Sequence, residues 1–191
     1  MKLRDKKPAL ILIDVQNAFL DDEYWGGNRN NKDAEFICGK ILSKWRELEL
    51  PIFHIRHSST NPESKLNANN EGFQFNENVT PLTGETCNNV ITKNVNSAFI
   101  GTNLKKELEV LGVNTLVIVG ITTNHCVSTT TRMAGNFGFE TYLISDATAA
   151  FDRVGINGEK YDAEIIHLTT LANLNDEFAT VLSYKQLMDK V

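Results

Sequence analysis

Two rhythms of apolar residues alternate along the chain. One is the short unbroken run: residues 9–13 read A-L-I-L-I and residues 115–119 read T-L-V-I-V, as strands buried on both faces of a parallel sheet do. The other has helical spacing. Between about Asp33 and Leu50, Ile37, Ile41, Trp45 and Leu48 recur at i, i+4, i+8 and i+11, one apolar face of an amphipathic helix. Leu104, Leu108 and Leu111 do the same over 103–111, and Gly112 supplies the stop. Weaker strand signals fall at 51–57, 90–92, 139–145 and 178–182. Helical ones begin at about Cys126, cover 160–171 and close the chain.

Strands alternating with helices predict an α/β fold, a three-layer, Rossmann-like doubly wound parallel sheet with helices on both faces. No repeat, low-complexity tract or linker divides residues 1–191, so a single domain is expected. Residues 58–89 follow neither rhythm and are rich in Asn. A loop of that length inside one domain is uncommon unless it serves function. It is a candidate cover for a site, with Phe73 and Phe75 as apolar inserts; the plainer alternative is that these rings only pin it to the body.

Charge and cysteine content narrow the partners. Nineteen basic residues against 24 acidic ones give a net charge of -5, with no basic block, which argues against nucleic acid and anionic membrane surfaces. The apolar run 8–13 is far short of the ~20 residues of a membrane span. Basic residues before it superficially suggest a signal peptide, but Asp14 ends the stretch early, so it reads as a strand. Three cysteines, Cys38, Cys87 and Cys126, without a CxxC pair, fit a reducing cytoplasm and no disulfide framework.

In open α/β sheets ligands bind beyond the carboxyl ends of the strands. Asp14, His57, Lys93, the 120–126 turn and Asp146 fall there. Asp14, partly buried, suits proton transfer. Cys126, in the expected first turn of a helix and near a lysine, is set to be a stabilised thiolate. Each has a structural alternative: a strand-ending Asp, a solvated Lys, an inert Cys, the last being the reading for Cys38 and Cys87. No glycine-rich phosphate loop follows the first strand, which disfavours a nucleotide-binding module.

Three segments, A-L-I-L-I-D14-V-Q16-N-A-F19, T-K93-N-V-N-S-A-F-I-G-T and V-I-V-G120-I-T122-T-N-H-C126-V, in this order and spacing, resemble the isochorismatase-like cysteine hydrolases, which include nicotinamidases, N-carbamoylsarcosine amidase and isochorismatases. The resemblance implies a six-stranded parallel sheet, a catalytic triad of Asp14, Lys93 and Cys126, and a cis peptide between Ile121 and Thr122. The N–H groups of Thr122 and Cys126 would form the oxyanion hole. It further implies a small-molecule substrate, no cofactor, and a homodimer or homotetramer. Nicotinamidases of this family carry an Asp-Trp-His metal segment where this chain has H54-I-R-H57. Two histidines three apart on a strand face opposite ways, and neither His125 nor His167 completes a cluster. No metal is therefore expected, and nicotinamidase is disfavoured. A cysteine at the nucleophile position favours hydrolysis of a C–N bond in an amide, carbamoyl or imide group. The alternatives are a vinyl-ether hydrolase relying on Asp14 and a non-catalytic small-molecule-binding module. Phe19 and Trp25 are candidates for an apolar wall, and His57 for a place beside Asp14.

Overall fold

In the computed structural model, which describes residues 2–83 and 89–191, strand β1 (Ala9–Ile13) lies at the centre of a six-stranded parallel sheet. It pairs on one side with β2 (Ile52–His57) and on the other with β4 (Thr115–Ile121), Leu12 standing opposite His54 and Val119. β3 (Asn89–Lys93), β5 (Glu140–Ala149) and β8 (Thr180–Leu182) complete the order β3-β2-β1-β4-β5-β8.

The continuous apolar run of β1 has a direct explanation: each of its faces enters a different core. Leu10 and Leu12 pack with Val117, Val119 and Trp45 under α2 (Ala34–Glu47) and α6 (Tyr184–Lys190). Ala9, Ile11 and Ile13 pack with Leu116 and Ile118 on the opposite face. That face is covered by α3 (Leu104–Val110), α4 (Ser128–Asn136) and α5 (Ala163–Leu174), which contribute Leu104, Leu108, Ala134, Leu171 and Leu174.

The chain winds outward from β1 through β2 and β3, then returns to the other side of β1 as β4. Strand order reverses between β1 and β4, and their carboxyl ends flank the crevice. The two strands approach so closely there that a Cβ on Gly120, whose φ is +128°, would lie 1.9 Å from the Ile13 carbonyl oxygen. Only glycine fits that position.

The elements depart from the sequence pattern in four places. A single helical turn, α1 (Asp22–Trp25), interrupts the stretch read as loop. β5 continues past Ser145 to Ala149, so Asp146 lies within the strand, where its carboxylate accepts from the Tyr184 N–H that opens α6 (2.7 Å). Residues 160–161 do not begin the next helix. They form β7 (Lys160–Tyr161), paired antiparallel with β6 (Arg153–Val154), and α5 starts at Ala163 behind an Asp162 cap. Before α4 the backbone makes one wide, π-type turn over Thr123–Val127.

The described part of the long loop after β2 is built from small turns. Asn61, Asn67 and Asn76 each accept, through the side chain, the N–H two residues on. This local bonding satisfies a backbone that no sheet or helix claims and accounts for the asparagine content. Cys87 lies outside the described residues.

Candidate active site

Asp14 follows β1 in the left-handed region (φ +52°). Its N–H donates to the Ile55 carbonyl (2.9 Å), and its carboxylate is wholly buried. Oδ2 accepts from Lys93 Nζ at 2.6 Å, both side chains being fully enclosed, whereas Oδ1 has no hydrogen-bond partner. Lys93 reaches Asp14 across β2, and its ammonium lies 3.3 Å from His57 Nδ1. Cys126, half-buried on the wide turn, brings Sγ within 4.8 Å of a carboxylate oxygen of Asp14 and of a ring nitrogen of His57. The sulfur also lies 3.8 Å from Asn96 Oδ1. Three residues from separate strand ends thus meet at the crevice.

The thiol differs from the stabilised thiolate that sequence position suggested. Burial pushes its pKa well above the usual thiol range, and the Asp14 charge adds to that. Lys93 acts in the opposite direction without prevailing. Cys126 also sits inside the wide turn, not in the first turn of α4. The resting sulfur is therefore a thiol.

The peptide between Ile121 and Thr122 is cis. Thr122 Oγ1 lies 3.0 Å from His125 Nδ1. Thr123 is buried and bonded to His167 Nδ1 (2.9 Å), which fixes the turn against α5. Gln16, quoted above only as part of a motif, is a buried clamp. Its Oε1 accepts from the His57 N–H (2.8 Å) and its Nε2 donates to the carbonyls of His57 (3.1 Å) and Phe73 (2.8 Å). It ties the loop and β2 to the end of β1.

Beside Cys126 opens a pocket of about 360 Å³. Phe19, Trp25 and His57 line it, as do Thr122 and His125. Phe19 and Trp25, their ring centres 4.7 Å apart and tilted by 31°, pack with Phe151 and Ile121 and give it an apolar floor. Phe73 and Phe75, in contrast, lie elsewhere. Arg56 stacks over Phe73 at 4.4 Å, and Phe75 meets His54 edge-on and lines a separate groove. These rings pin the loop. Its pocket residues are Ser59, Ser64 and Leu66, with Asn96 from beyond β3; no periodicity marks them in the sequence. The larger groove, about 1100 Å³, lies against Asp21, Lys32 and Lys65 and contains none of Asp14, Lys93 and Cys126.

Among the described residues one trio has the donor types and closeness of a metal site: Asp14, His57 and Cys126. Sequence spacing does not mark it, because its donors come from three separate strand ends. Lys93 already supplies positive charge at two of these donors, 2.6 Å from Asp14 and 3.3 Å from His57. The trio therefore fits proton transfer better than cation binding. Ordinary neutral histidine is favoured at position 57, because burial, followed by the Lys93 charge, lowers its pKa.

The chain is similar to known proteins over almost its whole length. Residues 8–186 match the isochorismatase domain. The isochorismatase family protein YrdC of Bacillus subtilis is 52% identical over 97% of this chain and 96% of its own length. Nicotinamidase 3 of Arabidopsis thaliana is 28% identical, covering 95% of this chain and 87% of that one. The crystal structure of an isochorismatase-family protein from Chromobacterium violaceum superposes with a TM-score of 0.92 at 39% identity, over 100% of this chain and 96% of that one.

Proposed function

The chain belongs to the isochorismatase family, whose members are hydrolases, and from that premise we propose that it cleaves a C–N bond of a small amide, carbamoyl or imide compound through Cys126. The observation that carries this reading is the Asp14 carboxylate: Lys93 holds Oδ2, Oδ1 has no hydrogen-bond partner, and a carboxylate oxygen lies within 4.8 Å of the Cys126 sulfur. Nicotinamidase 3, a relative over most of the chain, is named for amide chemistry, which supports the choice of bond.

Moving the thiol proton to Asp14 converts thiol, carboxylate and ammonium into thiolate, carboxylic acid and ammonium. The net charge of the enclosed site is unchanged, so the step avoids the cost of a new buried charge. Lys93 then faces the thiolate. The sulfur attacks the carbonyl carbon, and the oxyanion is met by the N–H groups of Thr122 and Cys126. Asp14 returns the proton to the leaving nitrogen as the C–N bond breaks, leaving a thioester on Cys126. Water gives its proton to Asp14, adds to the thioester and releases the carboxylic acid, while the proton returns to sulfur.

A screen of amides, carbamoyl compounds and imides tests the proposal. Wild type turns over a member of this set, and Cys126→Ala and Asp14→Asn each lower its rate at least about a hundredfold. Activity confined to vinyl ethers, surviving Cys126→Ser and lost in Asp14→Asn, would overturn it.

A further inference from the structure

Behind the floor of the Cys126 pocket lies an ion pair, Arg29 with Glu35, neither of which lines the pocket. The rings of that floor, Phe19, Trp25 and Phe151, have centres 4.7 to 6.3 Å apart. Two consecutive carbonyls anchor it: that of Ala18 accepts from Trp25 Nε1 (2.7 Å), and that of Phe19 from Arg29 Nη1 (3.3 Å). The Arg29 guanidinium carbon also lies 5.8 Å from the centre of the Phe151 ring, and the backbones of these two residues form a bridge. Nη1 and Nη2 donate to the two carboxylate oxygens of Glu35, in the first turn of α2, at 2.7 and 2.5 Å, and both side chains are buried. On either side of Arg29 the chain is tied to β5 and the residues after it. Asn28 donates to the Asp152 carboxylate, Asn30 accepts from the Ala150 N–H, and Asn31 donates to the carbonyls of Ser145 and Thr148. Desolvation offsets most of what a buried ion pair gains, and Arg29 Nε is enclosed without a hydrogen-bond partner. Apolar side chains of similar volume would therefore serve stability as well. They would not supply the fork, one planar group fixed at once against Glu35, the Phe19 carbonyl and the Phe151 ring.

We propose that Arg29, oriented by Glu35, is a positioning residue that holds Phe19 and Phe151 in place as the pocket floor. It thereby determines how tightly the pocket grips the apolar part of its substrate, an inference that rests on the hydrolase reading above.

The test uses iodoacetamide and 2-iodo-N-phenylacetamide, which form the same bond to sulfur and differ by one ring. Their rates at Cys126 are followed by peptide mass spectrometry at mildly alkaline pH, with glutathione as the reference thiol. Wild type is compared with the paired variant Arg29→Met/Glu35→Leu and with Arg29→Lys. In wild type the ratio of phenyl to unsubstituted rate is about tenfold above that of glutathione. It falls to near the glutathione value in the paired variant, whose denaturation midpoint stays at or above that of wild type. The near-ultraviolet circular dichroism of the Phe19–Trp25 pair weakens with it. Arg29→Lys keeps the charge without the fork and shows the same fall. A pair that served stability alone would move the midpoint and leave the ratio. A wild-type ratio equal to that of glutathione, a wild-type ratio kept in either variant, or an equal loss of both rates overturns the proposal and leaves the cysteine hydrolase standing. Should the paired variant not fold, Arg29→Lys decides. Labelling of wild-type Cys126 by neither reagent overturns both.

Discussion

Lys93 determines what Asp14 can be. Both side chains are wholly buried and meet at 2.6 Å, an enclosed ion pair in which each partner is the other's counter-charge. Lys93→Ala would leave an unpaired buried charge, which costs about 3–5 kcal/mol, and in the proposed mechanism it would also remove the cation that faces the thiolate. Denaturant titration of that variant shows a loss of this order together with loss of hydrolysis; a variant as stable as wild type would contradict the pairing. The positions of Asp14, Lys93 and Cys126 were legible in the sequence because strand ends are marked by where apolar runs stop. The protonation of Cys126 was not, since it depends on desolvation by residues distant in sequence and on the Asp14 charge. Ser59, Ser64 and Leu66 were hidden for a related reason: they lie in a loop whose turns are set by asparagine side chains, not by a periodicity.

At the scale of elements, three histidines act as stitches in their neutral form. His57 joins the end of β2 to Lys93 of β3, His125 joins the wide turn to the β6–β7 hairpin, and His167 joins α5 to Thr123 and lies 3.4 Å from the Asn31 side-chain amide. Burial lowers the pKa of all three, with Lys93 adding to the effect on His57 and Arg153 on His125. The unfolded chain takes up these protons first, near the ordinary value of about 6.5. The stabilisation is therefore complete above that pH and is lost as pH falls through the lowered native values. The denaturation midpoint drops between about pH 7 and pH 5, and His167→Gln shallows the drop; a midpoint that holds or rises toward pH 5 would contradict this. Strands and helices with strong periodicity were legible. The hairpin and the wide turn were not: the hairpin strands are two residues each, and the turn looks like a helix start until its extra residue is seen.

For the whole molecule, strand order does the assembling. β1 and β4 open the crevice, β3 sends Lys93 across β2, and Gly120 lets the two central strands close to contact. The doubly wound class followed from alternation of elements, and the crevice from the rule for such sheets. The pocket walls come from the loops after β1, β2 and β3 and the turn after β4, which only the folded chain brings together. The central claim is that Asp14 and Cys126 share a proton. The most direct measurement is the pH dependence of Cys126 alkylation by iodoacetamide in wild type and in Asp14→Asn. The account predicts a wild-type midpoint above the ordinary thiol value of about 8.5, moving down in Asp14→Asn as the carboxylate charge is removed while Lys93 stays. A wild-type midpoint at or below the ordinary value, or the same midpoint in both proteins, would contradict it.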